Sequence, residues 1–412
     1  MPTDTGEVPT GDAPTTEPYP GCDGVDLAQD GILDLDVPAV KYIEISGGIT
    51  VNGGALPDAS GSRGQLQFDY TPAIGAPGSV GYALEATGPE NYSVVLPAGV
   101  VTVRWVPDAA LCAEELGGPL PCTGGTVAEE LAVNASGVLD LDIPSIVASG
   151  KLTQDGGVLP DADGDRGHLE FSRPVGDMPG LVVPGGGVAT KSFEASGAAT
   201  YEVALFPDTY DIAFVGNPGL CSEGAAPVPC NRGVVREAIA LQATGVLDVD
   251  VRRVQVGGAV KVNGAAIGAG EADRGSLRFD PADAVGGGIS TPAFDVDGPV
   301  DYAISLVAGK YTVALTANPG LCGGDMPPAP TPCIGGPVLP AIDLSASGVL
   351  DVDIPMIEVS GNVTLAGGVL PTEDGDRGSV SFARESGDAT AVPLETDGPI
   401  KYRLGLIPGE YT

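Results

Sequence analysis

The chain has 412 residues, with 19 Lys and Arg against 55 Asp and Glu, a single His and a formal charge of −36. So strong a negative balance repels phosphate backbones and anionic membrane surfaces, which argues against nucleic acid as a partner. No apolar run approaches the roughly 18–20 residues that a membrane helix needs, so no membrane insertion is expected.

Gly (63) and Pro (38) are abundant enough to suggest disorder. Yet 43% of residues are apolar, and they alternate in strand-like runs. Aromatics make up only 5%, so the cores must be built from Val, Leu, Ile and Ala. No stretch sustains a helical period, and an α-helical enzyme scaffold is excluded.

In chain order, residues 1–29 are rich in Thr, Pro, Gly and Asp and read as a flexible tether. They hold no charged-then-apolar leader, so the sequence is expected to start after one. Residues 30–38 form a leading strand around Gly31–Pro38 (GILDLDVP). The same landmark returns as GVLDLDIP at Gly137–Pro144, GVLDVDVR at Gly245–Arg252 and GVLDVDIP at Gly348–Pro355. A period of roughly 100 residues is too long for a solenoid unit and suits a string of independent small domains.

Each landmark is followed by a Gly-containing strand: ISGGITV from Ile45, ASGKLTQ from Ala148, VGGAVKV from Val256 and VSGNVTL from Val359. An Arg-Gly pair comes next, at Arg63, Arg166, Arg274 and Arg377, and leads into QLQF, HLEF, SLRF and SVSF. An acid-x-x-Gly turn beginning at Glu85, Glu194, Asp295 or Glu395 then precedes Tyr92, Tyr201, Tyr302 or Tyr402. The Gly there supplies the positive φ that hairpins commonly require. The Tyr strand ends in LPAG, FPDTY, VAGKY or IPGEY, another hairpin signal.

Short strands with Gly/Pro turns and no helix pattern predict an all-β fold, a tandem array of antiparallel β-sandwiches. The expected division is 39–144, 145–252 and 253–355 for three complete sandwiches, with 356–412 an incomplete fourth. Two readings of the ends stay open. The sequence is a piece of a longer repeat protein, or the leading strand of one molecule completes the fourth sandwich of the next in a head-to-tail polymer.

The pattern V-S-G-x-V-T, G-x-L-P, G-x-L-x-F and Y-x-φ-x-L-x-P-G-x-Y, clearest at Tyr402–Tyr411 and Tyr302–Tyr311, resembles carboxypeptidase regulatory-like domains. These are similar to transthyretin (prealbumin) and Cna B-type sandwiches, Ig-like in architecture. The resemblance covers roughly residues 40–412. It implies secreted or surface repeat proteins of bacteria and is almost silent on function. It also makes the L-D-V-D-I segment the final strand of one unit. Lys151 and Lys261 do not align, so no Lys–Asn isopeptide bond is expected.

Seven Cys divide into Cys112–Cys122, Cys221–Cys230 and Cys322–Cys333, plus an odd Cys22. One close pair per complete unit, without His partners, points to disulfides and an oxidising compartment rather than zinc. Each bridge closes a loop of about ten residues and should add ~2–3 kcal/mol. Cys22 is read as unpaired within this chain.

The recurring Arg63, Arg166, Arg274 and Arg377 are candidates for ion pairs with Glu85, Glu194, Asp295 and Glu395 that order a turn, or else for ligand contacts. Asp161, Asp163 and Asp165, and likewise Asp374 and Asp376, place hard oxygen donors at alternate positions, a weak candidate calcium loop. No other cofactor is expected.

Catalysis has no foothold. His168 is replaced by Gln65, Ser276 and Ser379 in the other units, and no nucleophile elbow, HExxH, P-loop or Rossmann fingerprint occurs. The expected protein is an extracellular, cell-surface or periplasmic structural or adhesive array. Its expected partners are copies of itself, surface proteins or glycans. The alternative is a carbohydrate- or protein-binding module accessory to an enzyme outside this sequence.

Overall fold

A computed structural model of the chain describes residues 39–59, 61–108, 118–174, 187–282, 287–322, 329–372, 377–384, 389–394 and 400–412. The tether and the leading strand lie outside the described residues, as do Cys22, Cys112, Asp374, Asp376 and Glu395. Two compact units divide the chain, Met1–Lys41 and Tyr42–Thr412. Every strand among the described residues belongs to the second.

The fold is all-β. In the first repeat a long strand, Tyr42–Val51, pairs antiparallel with Gly54–Ala55 and Asn91–Pro97. It also pairs parallel with Gly137–Val138 and Leu141–Ile143, the L-D-L-D-I segment. A second sheet runs Gly78–Ala83, Gln65–Pro72, Gly99–Val106, Gly125–Val133, all antiparallel.

The second repeat copies this plan. Ile146–Gln154 is flanked by Gly157–Val158, Thr200–Leu205, Gly245–Val246 and Val249–Val251. Gly187–Ala189, His168–Ser172, Asp208–Val215 and Arg232–Leu241 form the other sheet. The third does the same around Arg253–Val262 and Ser276–Pro281. In the fourth, Ile357–Val363 pairs with Ile400–Leu406 and Ser379–Ala383 with Ala389–Pro393. The expected all-β fold with antiparallel sheets is what the four-stranded sheets show throughout. The five-stranded ones are mixed, because the closing strand runs beside the opening strand in the same direction.

Period-two alternation builds the cores. Leu66 and Phe68 point inward from one sheet, as do Val101, Val103 and Trp105 from its neighbour strand, all fully buried. One ring from each sheet meets across the core: Phe68 with Tyr92 at 5.3 Å, Phe171 with Tyr201 at 5.8 Å, Phe279 with Tyr302 at 5.8 Å and Phe382 with Tyr402 at 5.5 Å. Such pairs add about 0.5–1.5 kcal/mol beyond area burial.

The Tyr hydroxyls reach on to the closing strands. Tyr92 Oη donates to Leu139 O at 2.6 Å, Tyr201 Oη to Leu247 O at 2.5 Å and Tyr302 Oη to Leu350 O at 2.7 Å. That strand approaches so closely that a Cβ on Gly47 would lie 2.0 Å from Leu139 O. A Cβ on Gly150 or Gly258 would meet Leu247 O or Leu350 O in the same way, at 2.1 and 2.4 Å, so the Gly-containing strand is a crossing point in the first three repeats.

Burial pushes the Tyr92 hydroxyl up to about 12, with the Asp140 carboxylate adding to the effect, and Tyr201 and Tyr302 are raised further by burial and by Asp248 and Asp351. A raised folded-state value means the stabilisation is complete below the unfolded value of 10.0 and is lost as pH rises through the folded one. Stability should therefore hold up to about pH 9–10 and fall steeply from there through pH 12. Phenolate absorbance during alkaline titration checks this. Ionisation of every tyrosine near 10 with the fold intact would contradict it.

Candidate functional site: the arginine cages and the repeat junctions

The Arg of each Arg-Gly pair turns inward, because the following Gly takes a positive φ. At Gly167 φ is 93°, and a Cβ there would sit 2.2 Å from Val215 O. Arg63, Arg166 and Arg274 are 0% exposed.

Arg166 donates from Nη1 to Leu159 O at 2.9 Å and Pro160 O at 3.3 Å, from Nη2 to Gly197 O at 2.9 Å, and from Nε to Glu194 O at 2.5 Å. Arg274 repeats this with Ile267 O at 3.0 Å, Gly268 O at 3.1 Å, Asp297 O at 2.9 Å, Gly298 O at 3.0 Å and the carbonyl of Asp295. The fork of guanidinium donors is filled by curved backbone rather than by a carboxylate.

The ion pairs expected for Arg63, Arg166 and Arg274 are therefore corrected, while the one expected for Arg377 falls on Glu395, outside the described residues. Glu194 and Asp295 serve through their carbonyls. Glu85 donates its N–H to Glu90 Oε1 at 2.7 Å, and it is Glu90 that meets Arg63, at 2.6 Å. Arg63 completes its cage with Pro57 O at 3.1 Å and Gly88 O at 3.0 Å. Half-buried Arg377 faces Leu370 O at 3.4 Å and Pro371 O at 3.3 Å. Full burial also takes the first three arginines out of reach of any surface ligand.

Two acids of the candidate calcium loop at Asp161–Asp165 are engaged in turn geometry, and the second candidate, Asp374 and Asp376, lies outside the described residues. Asp161 Oδ1 accepts from Gly197 N at 3.2 Å and lies 4.0 Å from Arg166 Nη1. Asp165 accepts from Gly167 N at 3.3 Å and from Asn217 Nδ2 at 3.1 Å. Asp163 is exposed. Among the described residues no group of three or more His, Cys, Asp or Glu is placed to hold a metal. His168 Nε2 sits 3.8 Å from Glu170 Oε1 on its strand.

Among the described residues, the two acids of the L-D-x-D segments at Asp140, Asp248 and Asp351 have a role that the sequence did not suggest. Asp142 Oδ1 accepts from Thr50 Oγ1 at 2.7 Å and Gly53 N at 2.8 Å, and Asp140 Oδ1 accepts from Gly48 N at 2.8 Å. Asp250 takes Thr153 Oγ1 at 2.7 Å and Gly156 N at 2.9 Å, and Asp248 takes Lys151 N at 2.9 Å. These bonds fasten the closing strand to the opening one. The D-x-D doublet recurring at each landmark was the available signal. Asp250→Ala should cost the second repeat about 1–3 kcal/mol, since bonds to a charged acceptor are the stronger kind. Loss of hydrogen-exchange protection at Gly156 would register it, and unchanged protection would refute it.

Among the described residues, consecutive repeats meet at two points. At the first, an Asn or Asp residue with φ near 50° reaches the next opening strand. Asn52 Nδ2 donates to Ser145 O at 2.8 Å and Asn52 Oδ1 accepts from Ser145 N at 3.0 Å. Asn263 does the same with Met356 at 2.7 and 2.9 Å, and Asp155 Oδ1 accepts from Arg253 N at 3.2 Å.

At the second point the cysteine loop of one repeat seats on the Tyr strand of the next. Cys221 is bonded to Cys230 and Cys322 to Cys333, with Cα separations of 6.1 and 5.6 Å. Cys122 is also disulfide-bonded. Asn217 and Asn318 cap the short 3₁₀ turns Pro218–Cys221 and Pro319–Leu321 that open two of these loops.

The second cysteine of each loop donates its N–H to the following repeat: Cys122 to Ala204 O at 2.9 Å, Cys230 to Ser305 O at 3.0 Å and Cys333 to Gly405 O at 2.8 Å. The next residue adds side-chain bonds. Thr123 Oγ1 lies 2.7 Å from Tyr210 Oη and accepts from Phe206 N at 2.9 Å. Asn231 Nδ2 donates to Tyr311 Oη at 2.8 Å, and Asn231 Oδ1 accepts from Val307 N at 2.8 Å. Burial pushes Tyr210 up to about 12, against the Thr123 hydrogen bond, and raises Tyr311 further.

The cores are shared across these points. Phe206 belongs to the core of the first repeat, Cys122 and Val307 to that of the second, and Cys221, Ala226, Cys230 and Ile407 to that of the third. A Cβ on Gly125 would lie 2.2 Å from the Phe206 ring. The picture of independent domains is thereby corrected. Each sandwich borrows core residues from its neighbours, as repeats coupled through nearest-neighbour interfaces do.

No family model matches this sequence, and no curated protein does. Among solved structures the chain is similar to the TIE protein of Bacillus anthracis, at 12% identity over 76% of this chain and 51% of that one, with a TM-score of 0.19. The pilus adhesin SpaC of Lactobacillus rhamnosus GG is matched at 12% identity over 86% and 44%, TM-score 0.19. A minor pilin of Streptococcus agalactiae is matched at 9% over 50% and 95%, TM-score 0.25. The chain thus spans about half the length of the first two structures or less. The strand register described above carries the fold assignment.

Proposed function

We propose that this chain is a non-catalytic structural part of a bacterial surface or secreted protein, a stalk or filament segment that spaces or presents something. The observation that carries the reading is the two-point junction with its shared cores, which couples each sandwich to the next. Disulfides in successive repeats favour an extracellular or periplasmic setting. The charge of −36 keeps such a chain soluble and unaggregated. The division at 39–144, 145–252, 253–355 and 356–412 belongs to this proposal, as does membership of the carboxypeptidase regulatory-like group.

The binding-module alternative loses the Arg-Gly loops as contacts, since three of those arginines are buried. Copies of itself, surface proteins and glycans are the proposed partners. Antibody labelling of intact source cells tests the setting, and a chain confined to the cytosolic fraction would overturn it. Light scattering of the full chain over a concentration range tests self-association, and a monomer throughout removes copies of itself from the partners.

A further inference from the structure

The disulfide of the second repeat lies beneath the third. Cys221 and Cys230 are each 1% exposed and sit in the third repeat's core. Cys221 Sγ lies 3.9 Å from Ser305 O, and Cys230 N donates to that same carbonyl. Between the two cysteines, Ala226 O accepts from Ser305 Oγ at 2.6 Å and from Arg253 Nη1 at 3.0 Å. Asn231 closes the contact on Val307 and Tyr311. The loop is therefore held by its bridge on one side and by the neighbouring repeat on the other. The bridge Cys322–Cys333 differs: Cys333 is 3% exposed but Cys322 is only half-buried.

We propose that the bridge Cys221–Cys230 is an opening-gated redox latch. While the junction is closed, no thiolate can approach either sulfur along the S–S axis. When the two repeats separate, a dithiol can attack. Its thiolate bonds to one cysteine sulfur and expels the other as a thiolate, which takes up a proton. The second thiol of the reductant then displaces the first cysteine. Two electrons pass to the protein, which gains two thiols, and the dithiol leaves as its cyclic disulfide. A reduced loop no longer holds Cys230, Asn231 and Ala226 in one register, so the junction stays open. Separation of neighbouring repeats is thereby converted into a lasting chemical mark. This reading does not depend on the surface role proposed above.

The test uses the oxidised full chain with dithiothreitol near neutral pH. Alkylation and peptide mass spectrometry give the reduction rate of each bridge. Cys322–Cys333 should reduce first. Asn231→Ala, which removes the ties to Val307 and Tyr311, should accelerate reduction of Cys221–Cys230 by about tenfold or more and leave Cys322–Cys333 unchanged. Tyr311→Phe, which removes one hydroxyl only, serves if Asn231→Ala does not fold, and should give a smaller acceleration of the same bridge alone. After reduction the Val307 amide should lose its hydrogen-exchange protection. The proposal is overturned if Cys221–Cys230 in the wild-type chain reduces as fast as in a peptide of residues 217–232. It is equally overturned if the folded variants leave its rate unchanged, or if Val307 stays protected once the bridge is reduced.

Discussion

Replacing Arg63 by alanine is expected to lower the stability of the first repeat by about 3–5 kcal/mol. The substitution leaves the Glu90 carboxylate, 6% exposed, without its cation. It also strips the donor from Pro57 O and Gly88 O and opens a void where a fully buried side chain lay. Trp105 reports the event cleanly. It is the only Trp in the chain, it is fully buried, and its six-membered ring lies 2.9 Å from where a Gly64 Cβ would stand. Urea unfolding followed by Trp105 fluorescence should shift to lower denaturant by about 1–3 M. Arg63→Lys should recover only part of the loss, because an ammonium cannot fork across several carbonyls. A midpoint within error of wild type would show that the cage is ornamental.

Phe206→Ala should be nearly as severe, about 3–5 kcal/mol, and its effect should appear in the wrong place for a string of beads. Phe206 is chemically part of the second repeat, two residues ahead of the strand Asp208–Val215. Its ring, 6% exposed, packs in the first repeat's core with Trp105 and Leu120. The Trp105 transition should therefore move to lower urea although the substitution lies about a hundred residues away in sequence, which coupled neighbours require. If Trp105 unfolds as in wild type while the second repeat alone is weakened, the shared-core description fails.

The strands were legible because alternation has a direct physical cause: Leu66 and Phe68, or Val101, Val103 and Trp105, must share one face of a pleated strand. The Arg-Gly pairs and the Tyr positions were legible as landmarks too, since four internal copies expose whatever the fold repeats. The partners were harder. In a chain with 55 acids, an arginine invites a carboxylate. At Arg166 and Arg274 burial reverses that expectation, because curved backbone can fill a guanidinium's donors without a second charge to desolvate, whereas Arg63 keeps a carboxylate but takes it from Glu90. The junctions left almost no local trace. Thr123 and Tyr210 are 87 residues apart, and Asn231 and Tyr311 are 80. Phe206, Val307 and Ile407 read as ordinary hairpin ends until the neighbouring repeat is in place.

The parallel pairing of opening and closing strands has a mechanical consequence. The chain enters the first repeat at Tyr42 and leaves it after Ile143, beside Val51. Those points are opposite ends of two strands that run the same way. Tension along the backbone therefore slides one strand past the other and strains their hydrogen bonds together, instead of unzipping them one at a time. The Asp140 and Asp142 ties cross the same seam and share the load, and Tyr92 holds the closing segment from the strand on the other side of the opening one. Single-molecule pulling on the full chain should show high, evenly spaced rupture peaks, and Asp142→Ala should lower the peak of the first repeat. Each of the first three repeats is in this sense a shear bolt, and the array a series of them.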